Sequence, residues 1–161
     1  MLLTLMLACK GEPEDTNEPP PIRNDDTAPE CAGADPAVSQ VLLSNGGIVD
    51  FEGTDWPTIK ISADTTDADG NLNYATMDVW FSEFGEPSTD GSAALDKTFS
   101  VDDTECGVEA NVFDLLVQVG QGLQYNTEYT FAVRITDQKG ELSNIAMATG
   151  YTPKEDGSDG G

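Results

Sequence analysis

The chain has 161 residues and is strongly acidic, with 30 Asp plus Glu against 7 Lys plus Arg and a formal net charge of −23. Because this charge repels nucleic-acid phosphates and anionic headgroups alike, we expect no nucleic-acid partner. The chain contains no histidine, which excludes Ser-His-Asp and Cys-His catalysis. A hydrolase using paired carboxylates is the enzymatic alternative, but a domain of this size has little room for its substrate cleft. We therefore expect a protein that is not an enzyme.

The N-terminus is an uncharged apolar run, residues 2–7, that stops at Ala8 and Cys9 and is followed by Lys10. A small residue directly before a cysteine at the end of such a run resembles the lipobox of bacterial lipoproteins. The resemblance implies a signal peptide over residues 1–8, acylation of Cys9 (as by palmitate) and membrane attachment through the lipid. Lys10 stands where an inner-membrane retention signal has aspartate, which implies the outer membrane of a Gram-negative cell envelope. No basic residue precedes the run, so either the start codon lies upstream or Cys9 is incidental and the segment is a frayed tail.

Two segments are polar by composition. Residues 10–30 contain five prolines and seven acidic side chains with almost nothing apolar, so we predict that residues 9–30 are a disordered and extended tether. Residues 153–161 are rich in Gly and acidic residues, and we predict a second disordered tail there. Residues 31–152 between them are enough for one domain with a single core.

The domain shows the period-two alternation of half-buried β-strands. The predicted strands and turns are, in chain order, residues 59–63, a turn around Gly70, residues 75–81, residues 111–119, residues 127–136, a turn over 137–140, and a returning strand over 142–151. Residues 111–119 would also suit a helix, but Phe113, Leu115, Val117 and Val119 alternate, which favours a strand. Short strands separated by Gly, Asp and Asn predict an all-β fold, a single antiparallel β-sandwich.

Residues 123–129 carry a more specific likeness. Leu123, Thr127 and Tyr129 match the L-x-P-x-T-x-Y stretch before strand F of fibronectin type III domains, with Tyr125 in place of proline. The likeness extends to the turn over residues 137–140 and to Ser143. It implies an immunoglobulin-like sandwich in which the hydroxyl of Tyr129 bonds to nearby backbone, the tyrosine corner.

Cysteine usage agrees with export. If Cys9 carries lipid, Cys31 and Cys106 remain as an even pair, and an oxidising compartment allows a disulfide between them. In the topology that the resemblance implies, both cysteines precede strands that start at the same end of the sandwich. The strand between those two must then be crossed by the flanking segments.

Two further sites are candidates. A calcium site is predicted from clustered oxygen ligands, namely Asp64, Asp67, Asp69, Asn71 and Asp137; the alternative is an Asx-rich turn whose side chains bond backbone amides. A contact face is predicted from Trp80 and Tyr74 on the polar side of one strand; the alternative is that a loop within residues 83–96 covers Trp80.

Fold does not settle function. The leading interpretation is an envelope lipoprotein that displays a binding or adhesion module for a protein or glycan partner. The alternative is a structural spacer or envelope-assembly component, which would show no saturable partner binding.

Overall fold

The computed structural model describes residues 33–101, 106–117 and 122–161. The predictions for the signal peptide, Cys9 and the tether, and the position of Cys31, lie outside the described residues. Seven β-strands form in the part of the chain described: β1 Ala37–Phe51, β2 Thr54–Thr66, β3 Thr76–Ser82, β4 Leu95–Thr98, β5 Ala110–Val117, β6 Glu128–Thr136 and β7 Ala146–Tyr151.

The strands form two antiparallel sheets, in the orders β1-β2-β5 and β4-β3-β6-β7. The prediction of an all-β antiparallel sandwich is confirmed. Alternate residues of facing strands point inward and are buried, which accounts for the period-two pattern in the sequence. The main buried side chains are Ile59, Ile61, Leu72, Met77, Val79, Phe113, Val117, Phe131, Val133 and Ile135.

Residues 110–117 form a strand and not a helix. Phe113, Leu115 and Val117 are buried, whereas Val112 and Leu116 are exposed. This alternation confirms the strand prediction over that range. Val119 lies outside the described residues.

The β6–β7 hairpin begins later than predicted. The turn after β6 is closed by a hydrogen bond from Gly140 N to Asp137 O at 3.2 Å, and Gly140 takes a φ of 91°. Ser143 then donates its N–H to Ile135 O, while its hydroxyl oxygen accepts the Ile135 N–H at 2.8 Å. Because a side chain takes the place of a backbone partner there, regular pairing of β7 starts only at Ala146.

Two strands lack a clear pattern in the sequence. The β1–β2 pairing shifts register between Val38 and Gln40 and again between Asn45 and Gly47. Each shift moves the following side chains to the other face, which destroys the alternation. β1 is the first of these two strands. The other is β4, which has only four residues, too few for an alternation to be recognised.

The strand directions define two ends of the sandwich. We call the end at Gly33 the proximal end; it carries the segments before β1 and β7 and the loops after β2 and β6. The distal end carries the turn between β1 and β2, the loop that follows β3, and residues 152–161. Because β1 and β7 both run from proximal to distal, the described chain begins and finishes at opposite ends.

The C-terminal segment differs from the expectation of disorder. Gly157 N donates to Lys154 O at 2.9 Å and closes a turn. Asn45 Nδ2 donates to Gly157 O at 3.0 Å, and Gly161 N donates to Asn126 Oδ1 at 3.1 Å. Gly160 also packs closely in this segment, since a Cβ there would lie 2.0 Å from Thr152 O. Composition alone does not reveal that two asparagine side chains bind this backbone.

Candidate cation site at the proximal end

Two aspartates from different sheets are buried at the proximal end. Asp67 directly follows β2 and Asp137 directly follows β6, and they are 3% and 5% exposed. The loops that carry them are joined by a hydrogen bond from Gln138 N to Asn71 O at 3.1 Å. Because carboxylates are seldom buried without a partner, this pair requires an explanation.

Each aspartate uses one carboxylate oxygen to bind its own loop. Asp67 Oδ1 accepts the Asp69 N–H at 2.7 Å. Asp137 Oδ1 accepts the N–H groups of Lys139 and Glu141, both at 2.8 Å. These are Asx turns, the arrangement named above as the alternative to a metal site.

The second oxygen of each carboxylate is not accounted for in this way. Asp67 Oδ2 and Asp137 Oδ2 are both buried and accept no hydrogen bond from the described residues. The two ion pairs within that part of the chain, Lys60 with Asp114 and Arg134 with Asp78, involve neither of them. The turns therefore use half of the acceptor capacity of this pair.

The electrostatics of the pair are unfavourable for two anions. Burial raises the pKa of the Asp67 carboxyl above its ordinary value, against the lowering effect of the hydrogen bond from Asp69 N. The negative charges of Asp137 and Asp69 raise this pKa further. The negative charge of Asp67 is therefore less favourable than that of an ordinary exposed aspartate, and a nearby positive charge would favour it.

The other predicted ligands are placed differently. Asn71 is fully buried in the same loop as Asp67, and Asp69 Oδ2 accepts the Ala34 N–H. Asp64 lies on the outer face of β2, because its neighbours Ala63 and Thr65 point inward. No group of three or more acidic or cysteine side chains able to hold a metal occurs in residues 33–101, 106–117 and 122–161. The five predicted ligands therefore do not all lie together, and Asp67 and Asp137 are the two carboxylates that are buried at this end.

The proximal end also contains a disulfide. Cys106 is disulfide-bonded, and its partner lies outside the described residues. Gly107 N donates to Gly70 O at 2.9 Å, and the neighbouring Asp69 binds Ala34 N. Since Ala34 is three residues from Cys31 in the sequence, this path across β2 favours the predicted pairing of Cys31 with Cys106, which stays a prediction.

The contact face predicted from Trp80 is wrong. Trp80 is only 4% exposed, and its Nε1–H donates to Gly91 O at 3.2 Å, in the loop that follows β3. The Arg134 guanidinium lies over the indole, 5.0 Å from the ring centroid. The alternative, a loop within residues 83–96 covering Trp80, is confirmed. Tyr74 is about half exposed, but Trp80 is buried, so the two side chains do not form an exposed face together.

Other aromatic side chains are exposed at the distal end. Phe84 is 86% exposed in the loop after β3, and Phe51 is 53% exposed beside the β1–β2 turn. Neither side chain was predicted from the sequence, because neither lies in an alternating segment. The φ values of Glu52 and Gly53, 54° and 79°, are those of a two-residue hairpin turn, but Glu-Gly is not one of the pairs that mark such a turn in a sequence.

The described residues contain no helix long and apolar enough to cross a membrane. Comparisons with protein-family models, with curated proteins and with solved structures each found no match to this chain.

Proposed function

We propose that this chain is a cell-envelope lipoprotein, anchored through Cys9, whose sandwich is an immunoglobulin-like module for binding a protein or glycan at the cell surface. The observation that carries the proposal is the placement of Phe84. This side chain is almost fully exposed at the distal end, whereas the chain coming from Cys9 joins the sandwich at Gly33 on the proximal end. A lipid on Cys9 would therefore attach the sandwich through its proximal end and leave the distal end free.

The length of the sandwich supports the display of Phe84 at a distance from the membrane. A strand rises about 3.3 Å per residue, so the fifteen residues of β1 carry the chain roughly 45 Å from the proximal end. An extended tether of residues 9–30 would add to this separation. Phe84 would thus be presented well beyond the headgroups.

The loop that carries Phe84 is held in place. Its following part is bound to the sheet through the Trp80 to Gly91 hydrogen bond, and Ala94 N donates to Val79 O at 2.9 Å. Because this part of the loop is anchored to the sheet, less backbone entropy is lost when the loop binds a partner, and large aromatic side chains are enriched among binding hot spots.

Two features support the immunoglobulin-like character. Gln124 N donates to Tyr129 Oη at 3.1 Å, the bond predicted for a tyrosine corner. In addition, β2 lies between β1 and β5, the neighbour order that the fibronectin type III resemblance implies.

Lipidation is tested first, by labelling cells that express the full chain with palmitate. We expect the label in the wild type and none in Cys9→Ser, which should also leave the membrane fraction. Equal labelling of both would contradict the anchor.

Binding is tested with the same cells on protein-coated and glycan-coated surfaces. We expect saturable binding that falls about tenfold or more in Phe84→Ala, as for a hot-spot residue. Leu142→Ala is the matched control, because Leu142 is exposed at the proximal end. Absence of saturable binding would favour the spacer alternative, and equal losses in both variants would contradict a distal contact site.

A further inference from the structure

The structure assigns a calcium site to the proximal end: we propose that Asp67 Oδ2 and Asp137 Oδ2 bind one Ca²⁺ ion between the loops that follow β2 and β6. This inference is independent of lipidation and of any partner.

The first argument is that both carboxylates are oriented in advance. Backbone N–H groups hold Oδ1 of Asp67 and of Asp137 at 2.7 to 2.8 Å. Such bonds to the far oxygen fix a metal-ligating carboxylate, as outer-shell partners do in known metal sites. The Asx turns and the metal site are therefore compatible, since each uses a different oxygen of the same side chain.

The second argument is that the remaining oxygens are buried without a donor. Asp67 Oδ2 and Asp137 Oδ2 have neither a hydrogen bond nor a cationic side chain within the described part of the protein. Leaving a buried polar atom without a partner is unfavourable, and more so when the group is charged. A bound cation would remove that cost for both atoms together.

The third argument concerns the choice of ion. Two carboxylates supply two negative charges, and oxygen ligands select hard cations such as Ca²⁺ and Mg²⁺. Mg²⁺ retains several of its waters in octahedral geometry, whereas Ca²⁺ accepts irregular sets that include backbone carbonyls. Two carboxylates enclosed between loops suit Ca²⁺ better. Softer metals favour nitrogen or sulfur ligands, and the chain has no histidine.

Thermal unfolding of the full chain tests the proposal at constant pH and ionic strength. We expect the midpoint with 1 mM CaCl₂ to lie about 5 °C or more above that with EDTA, by preferential binding to the native state. MgCl₂ should give a clearly smaller rise. Equal midpoints with CaCl₂ and EDTA would overturn the proposal and leave the two carboxylates as acceptors in their Asx turns only.

Variants locate the ion. Asp67→Asn and Asp137→Asn keep the Oδ1 acceptor and should lose the calcium response, while in EDTA they should unfold at or above the wild-type temperature because one negative charge is gone. Asp64→Asn is the matched control, since Asp64 lies on the outer face of β2, and it should keep the full response. Equal loss in Asp64→Asn would overturn the assignment.

Isothermal titration of the wild type with CaCl₂ provides a readout that does not depend on the variants folding. We expect one ion per chain. The absence of binding, or several equivalent weak sites, would contradict a single defined site and would point to calcium attracted only by the acidic surface.

Discussion

At Trp80, a side chain that the strand pattern places toward solvent becomes part of a second, smaller core. Across the strand pair it faces Ala132, whose small side chain leaves room for the indole. The loop after β3 and the Arg134 guanidinium cover the ring on the outside. The period-two pattern assigns Trp80 to the correct face of β3, but it contains no information on the loop that folds back over that face.

Trp80→Ala should therefore destabilise the fold. We expect the free energy of unfolding to fall by about 3 kcal/mol or more, because a large buried aromatic is lost together with its hydrogen bond and its cation-π contact. Denaturant unfolding measures the difference. Tyr74→Ala removes a half-exposed side chain and should change the free energy by less than about 1 kcal/mol. Similar values for the two would contradict the burial of Trp80.

The acidic residues at the proximal end show how far a sequence can specify a site. Asp67 and Asp137 were predictable as neighbours because each follows an alternating strand whose end can be located. Asp64 was included because it is near in sequence, yet it lies on the opposite face from the core. The sequence could not predict that Oδ1 of each aspartate accepts backbone N–H groups while Oδ2 has no donor, since this depends on the conformation of each turn.

Among the elements, four strands were predictable from their alternation: β2, β3, β5 and β6. β7 was predicted as the returning partner of β6, but its start was placed too early because the hydroxyl of Ser143 takes the place of a backbone partner. β1 and β4 were not predicted. Register shifts hide the period of β1, whereas β4 has too few residues for a period to show. The sequence therefore indicates which segments are apolar, but it does not indicate how each strand pairs with its neighbours.

The loop between β2 and β3 depends on a glycine for two separate reasons. Gly70 has a φ of 73°, and a Cβ there would lie 2.9 Å from Gly107 N. The N–H groups of Gly107 and Val108 both donate to Gly70 O at 2.9 Å, so the two backbones cannot separate without losing these bonds.

Gly70→Ala should accordingly destabilise the domain more than an ordinary glycine substitution. We expect a loss of about 2–3 kcal/mol in thermal or denaturant unfolding, from backbone strain plus the steric contact. Gly140→Ala is the matched control, because its φ is 91° but no atom lies within 4 Å of the added Cβ; we expect about 1 kcal/mol there. Equal effects would show that the approach of Gly107 is not limiting.

For the whole molecule, the net charge of −23 opposes compaction. Among the described residues the two ion pairs, Lys60 with Asp114 and Arg134 with Asp78, compensate little of it. Most acidic side chains therefore repel one another across the surface.

Screening should relieve this repulsion. We expect the unfolding midpoint to rise as NaCl increases from 20 to 300 mM, since about 0.1 M salt shortens the screening length to about 10 Å. The measurement is made in EDTA, so that calcium binding does not contribute. A midpoint that falls with salt would indicate that attractive pairs outweigh the excess of acidic groups.

The opposite positions of Gly33 and the C-terminal segment have a mechanical consequence. If the chain is held at its N-terminus and a load is applied at the distal end, the force runs along β1. The hydrogen bonds that join β1 to β2 are perpendicular to that direction, so they are sheared together rather than opened one after another. The same holds for β7 against β6. In this topology, a load applied between the two ends would therefore be resisted by many hydrogen bonds at once.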